Sequence, residues 1–209
     1  MSRASGGRAV AAGDIVVVDA HTVVLYDSNF FPVYWRDPRK VADPSRICVI
    51  FDHRVPAPDR GCAQAHIVGR KFAQRFGIER LHDVGYDQGI AHTVVADKAY
   101  CLPGTVLICS DSHTGGAGAL NCAARGVGGP DIIYAAIKGQ TWFELCGTIR
   151  YDLAGRLALG VTGKDVFLHI AQTFGDHSGF NVEFGGPALK TLGIDARRTI
   201  ATMGDRAQR

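Results

Sequence analysis

The chain has 209 residues, of which 46% are hydrophobic, and its formal net charge is +3. This is enough apolar material for one sizeable core. The small charge, without a basic stripe interleaved with aromatic residues, argues against nucleic acid as a partner. No apolar run approaches the ~20 residues that cross a bilayer, so we expect no membrane partner either.

The cysteine pattern indicates a reducing compartment. The six cysteines are scattered without a C-x-x-C pair, which is not a disulfide framework for a domain of this size. We therefore predict a cytoplasmic protein with most thiols buried. Residues 1–12 lack the apolar core of a secretory signal and are predicted to be a disordered leader, so the folded domain spans 13–209. Four arginines near the C-terminus are predicted to lie in a solvated tail: Arg197, Arg198, Arg206 and Arg209.

Strands and helices alternate along the chain. Apolar or alternating runs predict strands at 14–19, 46–51, 105–109 and 142–151, and an extended segment near 181–185. Helical spacing predicts helices at 62–76, 131–139 and 164–174, with weaker signals at 22–31 and 116–122. This order is typical of an α/β protein with α/β/α layers around a largely parallel sheet.

Polar residues follow two of the predicted buried strands. Asp52 and His53 come after 46–51, and a run from Asp111 to Thr114 comes after 105–109. His92 lies in a glycine-flanked loop, GYDQGIAH. Since ligands bind outside the carboxyl ends of parallel strands, these groups are expected to form one site.

Two pairs of neighbours suggest chemistry. A carboxylate raises the pKa of an imidazole beside it, which suits a general acid at His53, provided that the chain turns after Asp52. Ser112 and His113 are too close in sequence for an easy nucleophile–base hydrogen bond, and no G-x-S-x-G surrounds them. Substrate or water binding and capping of the next helix therefore both stay open for this segment.

Several ordered motifs resemble one family. They are FDHRVP, GYDQGIAHTV, DSHTGGAGAL with GVGGPD, NVEFGGPAL and RRTIATMG. Together they resemble the aconitase superfamily, and most closely the N-terminal half of the large subunit of 3-isopropylmalate dehydratase and homoaconitase. The resemblance implies an aconitase-like but truncated fold. It also implies a hydro-lyase that dehydrates and rehydrates a hydroxy di- or tricarboxylate such as 3-isopropylmalate, citrate or homocitrate, in amino-acid biosynthesis.

The resemblance also implies a cofactor that this chain does not hold alone. Family members use a [4Fe-4S] cluster as a Lewis acid, and its three cysteine ligands lie downstream of the part that this chain matches. No metal ligand is therefore expected in this chain, and Cys109 is expected to pack rather than coordinate. The expected partners are the small-molecule hydroxycarboxylate, a swivel-domain small subunit that carries the base, and the missing C-terminal half.

Site roles follow from the motif matches. His53 would protonate the departing hydroxyl with support from Asp52, and Asp111 would pair with His92 near the substrate oxygen. His113 would pair with Glu183, Ser112 would contact a substrate carboxylate, and an early substrate-facing turn matches Asp27 and Ser28 loosely. Two residues depart from the family pattern: Thr93 replaces a glutamine and Asn121 a glycine.

Two alternatives compete with a hydro-lyase half. The chain could be a truncated, inactive aconitase-like domain, although all the site residues named above are still present. It could also be an unrelated metal-dependent hydrolase that binds zinc or a hard ion through three histidines and two carboxylates: His53, His92, His113, Asp52 and Asp111.

Overall fold

The computed structural model describes residue 7, residues 9–85 and residues 87–206. For residues 205 and 206 it describes the backbone only. The strands are β1 (Ile15–Asp19), β2 (Thr22–Tyr26), β3 (Ile47–Ile50), β4 (Arg80–His82), β5 (Val106–Cys109), β6 (Ala123–Gly126), β7 (Gln140–Glu144), β8 (Gly147–Asp152) and β9 (Phe180–Gly185). The helices are α1 (Arg60–Phe76), α2 (Ala91–Asp97), α3 (Gly129–Lys138), α4 (Gly163–Phe174) and α5 (Ile194–Arg206). Short 3₁₀ helices occupy Asp27–Phe30, Pro44–Arg46, Thr114–Leu120 and Pro187–Lys190.

A five-stranded parallel sheet in the order β4-β3-β2-β5-β6 forms the centre of the fold. Its three middle strands, β2, β3 and β5, are buried along almost their whole length, as expected for strands covered on both faces. Smaller pairs flank it: β1 runs antiparallel to β7, and β8 runs parallel to β9. The predicted α/β class with a largely parallel sheet is confirmed.

Helices cover both faces of the sheet. On one face, α1 and α3 pack through residues such as Phe72 and Ile132 onto Leu25 and Val49. On the other, α2 and the 3₁₀ helix Thr114–Leu120 pack onto Val24 and Ile50. The result is the predicted three-layer arrangement.

Three sequence predictions of secondary structure are wrong. The predicted helix at 22–31 is the central strand β2, because Val23, Val24 and Leu25 are all buried between β3 and β5. The predicted strand at 142–151 is two strands, since β7 pairs with β1 whereas β8 pairs with β9. The segment at 116–122 belongs largely to a glycine-rich 3₁₀ helix instead of an α-helix, and this helix ends at Leu120.

Both ends of the chain bear on earlier predictions. Of the predicted leader, residues 1–6 and 8 lie outside the described residues, whereas Val10 packs against the core. The predicted C-terminal tail is wrong for Arg197 and Arg198, which belong to α5. The side chains of Arg206 and Arg209 lie outside the described part. Within that part, no helix is long and apolar enough to cross a bilayer.

Candidate functional site

Adjacent strand ends bring the predicted polar residues together. Asp27, Asp52 and Asp111 each follow one of the neighbouring parallel strands β2, β3 and β5, so they lie at the same edge of the sheet. The chain places β3 and β4 on one side of β2 and then returns to place β5 and β6 on the other. Ligands of open α/β sheets bind at this kind of switch point.

The imidazole of His53 bridges two carboxylates. Its Nδ1 lies 2.7 Å from Asp52 Oδ1, and its Nε2 lies 3.1 Å from Asp111 Oδ2. The His53 side chain is 39% exposed, whereas those of Asp52 and Asp111 are 5% and 8% exposed. Ionised carboxylates only accept hydrogen bonds, so this geometry favours the imidazolium form, which can donate from both ring nitrogens. The chain turn that this contact requires is therefore present.

The surroundings of His53 raise its pKa. Partial burial acts to lower the pKa of this imidazole, but the hydrogen bond to Asp52 and the charges of Asp52 and Asp111 outweigh it. The ring of Tyr26 packs against the imidazole with the ring centroids 4.4 Å apart. Burial in turn raises the pKa of Tyr26, whose hydroxyl donates to the Ser110 carbonyl at 3.4 Å. The raised pKa and the partly exposed ring of His53 thus suit a proton donor.

Asp111 is the centre of the cluster. Its Oδ1 lies 2.6 Å from His92 Nε2 and accepts from the His113 backbone N–H at 2.7 Å, while its Oδ2 faces His53. Burial acts to raise the pKa of this carboxyl, but the hydrogen bonds from His92 and His113 and the nearby imidazoles hold it well below its usual range. Asp111 is therefore ionised, and the predicted contact with His92 is present.

Ser112 and His113 contact each other, although neighbours in sequence do not easily make such a hydrogen bond. Ser112 Oγ lies 3.1 Å from His113 Nδ1. His113 is the N-cap of the 3₁₀ helix and makes no side-chain capping bond, while Thr114 Oγ1 donates to the Asp111 carbonyl. Both Ser112 and His113 are partly exposed beside Asp111, where a bound solute could reach them.

The structure places Asp27 differently from the predicted substrate-facing turn. Its side chain is 1% exposed, and its carboxylate accepts backbone N–H groups of Ser28, His53 and Arg54. It fixes the loop that carries His53 instead of facing a solute. Ser28 is partly exposed at the start of the same 3₁₀ helix.

Glu183 is the predicted partner of His113. Glu183 is exposed on β9, in register with Arg150 of β8. The Nδ1 of His113 lies 3.4 Å from Asp111 Oδ1. Glu183 thus belongs to the strand pair β8–β9, outside the central sheet, and its pairing with His113 stays a prediction.

The cysteines do not form a cluster site. Burial raises the pKa of Cys109 to about 12 and that of Cys101 to about 11, so these thiols stay protonated, whereas iron–sulfur ligands are thiolates. Among the described residues, which include all six cysteines, the groups able to surround one metal ion consist of histidines and aspartates only. A [4Fe-4S] cluster therefore does not fit the cysteines of this chain, and Cys109 packs as predicted.

One residue at the site has no counterpart among the predicted site residues. Arg198 of α5 donates from Nη2 to the His92 carbonyl and to Thr93 Oγ1, each at 3.0 Å. The sequence predicts Arg198 in a solvated tail instead, because a charged residue near a chain end is usually exposed. The only signal that could have found it is its place within RRTIATMG, a motif already matched to the family.

Similarity to known proteins agrees with this geometry. The model of the aconitase family (aconitate hydratase) matches residues 49–206, about three quarters of the chain. The chain belongs to the aconitase family. The matched range includes the strand ends that carry Asp52 and Asp111 together with the α5 arginines, but it excludes Asp27 and Ser28.

Curated relatives of this aconitase-family chain are large subunits. It is 45% identical over 204 residues to the "3-isopropylmalate dehydratase large subunit" of Mycolicibacterium smegmatis, covering 98% of this chain and 48% of the relative. It is 38% identical to the protein of that name from Thermoanaerobacter sp., covering 94% and 48%. It is 34% identical to "3-isopropylmalate dehydratase large subunit 1" of Methanopyrus kandleri, covering 97% and 49%. The chain thus spans about half the length of these relatives and matches their N-terminal half.

Proposed function

We propose that this chain is the N-terminal half of a hydro-lyase that dehydrates and rehydrates a hydroxycarboxylate such as 3-isopropylmalate, citrate or homocitrate. The observation that carries the proposal is the imidazole of His53 held between the carboxylates of Asp52 and Asp111. Loss of a hydroxyl group from carbon requires a proton, and a charged imidazole with an exposed edge supplies one. The names of the relatives described above agree with this reaction class.

The residues of this chain would act on the leaving hydroxyl. As the carbon–oxygen bond breaks, His53 gives its proton to the departing oxygen, which leaves as water, and the neutral imidazole keeps its hydrogen bond to Asp52. Because its pKa is raised, His53 stays charged to a higher pH than an ordinary histidine. In the reverse direction, the neutral imidazole takes a proton from the adding water.

Asp111 and its neighbours would hold the reacting oxygen and the substrate. Asp111 orients His92 and His53 at once, so the two imidazoles face one small volume. Ser112, partly exposed beside them, would donate to a substrate carboxylate. An open depression of about 390 Å³, bounded by Asp52 and Gln88 among others, adjoins this edge of the sheet. These roles apply only where the rest of the enzyme is present.

The complete enzyme requires polypeptide outside this chain. A [4Fe-4S] cluster is expected for the family, and since the cysteines here do not fit one, its ligands belong to the other half of the large subunit. The base that removes the carbon-bound proton is expected from a swivel-domain subunit. We also propose a cytoplasmic location, because six free cysteines suit a reducing compartment.

The test is reconstitution. The chain is combined with candidate cysteine-bearing and swivel-domain polypeptides, and formation of the unsaturated intermediate is followed by absorbance. His53→Ala and Ser112→Ala are each expected to abolish dehydration. His169→Ala, which removes an exposed histidine of α4, serves as the matched control and is expected to keep full turnover. Unchanged turnover in either site variant would refute the assigned roles.

Two other functions predict different results. An inactive domain predicts no turnover with any partner. A metal-dependent hydrolase is supported by the ligand atoms of His92, Asp111 and His113, which lie within 4.8 Å of one another. It predicts ester or amide hydrolysis by the isolated chain with Zn²⁺, lost on chelation. We rank it below the hydro-lyase because the family match covers the same residues.

A further inference from the structure

The site has a contact that the assigned roles do not use, between α5 and the start of α2. Arg198 and His92 are 106 residues apart in sequence, yet Arg198 Nη2 lies 3.0 Å from the His92 carbonyl oxygen. The same nitrogen lies 3.0 Å from Thr93 Oγ1. One guanidinium therefore fixes both the backbone of His92 and the side chain that follows it.

The helix that carries His92 needs such support. α2 has seven residues, and its N-cap, Ile90, makes no side-chain capping bond. A helix this short is marginal by itself, and its first N–H groups have no partners within the helix. Asp52 Oδ2 accepts the Ala91 N–H at 2.7 Å, so one end of the first turn is tied to the site. Arg198 of α5 holds the next residue, His92, by donating to its carbonyl oxygen.

The helix that carries Arg198, α5, is held by packing against a segment of the site. α5 packs along the 3₁₀ helix Thr114–Leu120, which begins three residues after Asp111. Gly116 allows the close approach: a methyl group there would lie 2.6 Å from Thr202 Oγ1. Arg198 thus connects the segment after Asp111 to the segment that bears His92.

We infer that Arg198 is a positioning residue that holds the His92 imidazole against Asp111. It acts through the backbone of His92 and through Thr93, the residue that departs from the glutamine expected in the family pattern. Arginine suits this task because its planar group presents several donors in fixed geometry. Its importance for catalysis rests on the proposed function, whereas its effect on His92 does not.

The test therefore uses the full chain without partners. Nitrogen-15 NMR of the histidine side chains reports whether His92 Nε2 carries the proton shared with Asp111. In the wild type, His92 is expected to show one fixed tautomer with a hydrogen-bonded Nε2–H. Arg198→Ala is expected to abolish that signature and give averaged nitrogen signals. Arg198→Lys, which can still donate to the His92 carbonyl, is expected to restore it in part.

Matched variants separate positioning from folding. Arg197→Ala removes the neighbouring arginine of α5, which donates to the carbonyls of Leu189 and Leu192 instead, so it should lower the melting temperature without changing the His92 signals. Thr93→Ala removes one of the two Arg198 contacts and should give an intermediate His92 spectrum. It also keeps the test decisive if Arg198→Ala fails to fold.

The outcomes are distinct. Unchanged His92 nitrogen shifts in both Arg198→Ala and Thr93→Ala would overturn the inference, as would identical effects of Arg197→Ala and Arg198→Ala. If His92 responds as expected but no reconstituted enzyme dehydrates substrate, the proposed function fails and the positioning of His92 by Arg198 stands.

Discussion

Replacing Asp27 with asparagine tests whether this residue supports the site or faces the substrate. Its buried carboxylate accepts the Ser28 N–H at 3.0 Å and the His53 N–H at 3.4 Å through Oδ1, and the Arg54 N–H at 2.5 Å through Oδ2. Asparagine keeps one acceptor oxygen and replaces the other with an N–H₂ donor. In either orientation, at least one buried backbone N–H then faces a donor.

The expected cost follows from those contacts. A buried N–H that loses its acceptor costs about 1–3 kcal/mol, and a hydrogen bond to a charged group is worth more than a neutral one. We expect Asp27→Asn to lower the free energy of unfolding by about 2–3 kcal/mol. For a chain of this length, that corresponds to a fall in melting temperature of about 4–12 °C.

The measurement is thermal and urea unfolding followed by circular dichroism. Asp43→Asn is the control, because Asp43 is a partly exposed N-cap whose contacts asparagine can largely reproduce, with a change within about 0.5 kcal/mol. A melting temperature for Asp27→Asn within about 1 °C of the wild type would refute the reasoning. If turnover of the reconstituted enzyme were then lost at unchanged stability, the substrate-facing role implied by the resemblance would be correct.

Two more predictions concern stability. Because the pKa of Asp111 is held below its usual range, its ionised form stabilises the fold above the unfolded-state pKa of about 4, and this is lost as the pH falls through the folded-state value. The urea midpoint of the wild type should therefore fall more steeply below about pH 4 than that of Asp111→Asn, and parallel curves would contradict this. Gly69→Ala places a methyl group 2.7 Å from Phe51 and 3.0 Å from Phe30, so it should cost about 1–3 kcal/mol in urea unfolding. Gly61→Ala, at the exposed start of the same helix, is the control and should cost little, and equal losses would contradict the packing argument.

The strand-end rule made part of the site predictable. Asp52 and Asp111 follow continuous apolar runs, and such runs are recognisable as buried parallel strands without any structure. Parallel strands end at a common edge, so their following residues had to be near one another. The contact of His92 with Asp111 was expected only from the resemblance, because no local pattern links residues that are 19 positions apart.

Other residues were misplaced for identifiable reasons. β-Branched residues disfavour a helix, but the sequence alone does not show that Thr22–Tyr26 lies between two other strands. Glu183 is predicted at the site from its motif match alone, because its strand belongs to a separate two-stranded sheet and the strand-end rule does not apply to it. Asp27 lies in a polar turn, which favoured contact with the substrate. In the structure, the loop after β3 covers it, and its carboxylate accepts backbone N–H groups of that loop.

The sequence by itself determined the α/β class, the family and most of the polar residues at the sheet edge, because these depend on local order and spacing. Only the tertiary structure decided that His53 lies between two carboxylates and that Arg198 of α5 reaches His92. It also decided that the buried Asp27 carboxylate accepts backbone N–H groups of the loop after β3. The physical reason is that contacts between groups far apart in sequence depend on how the sheet and the helices pack, which no local sequence pattern encodes.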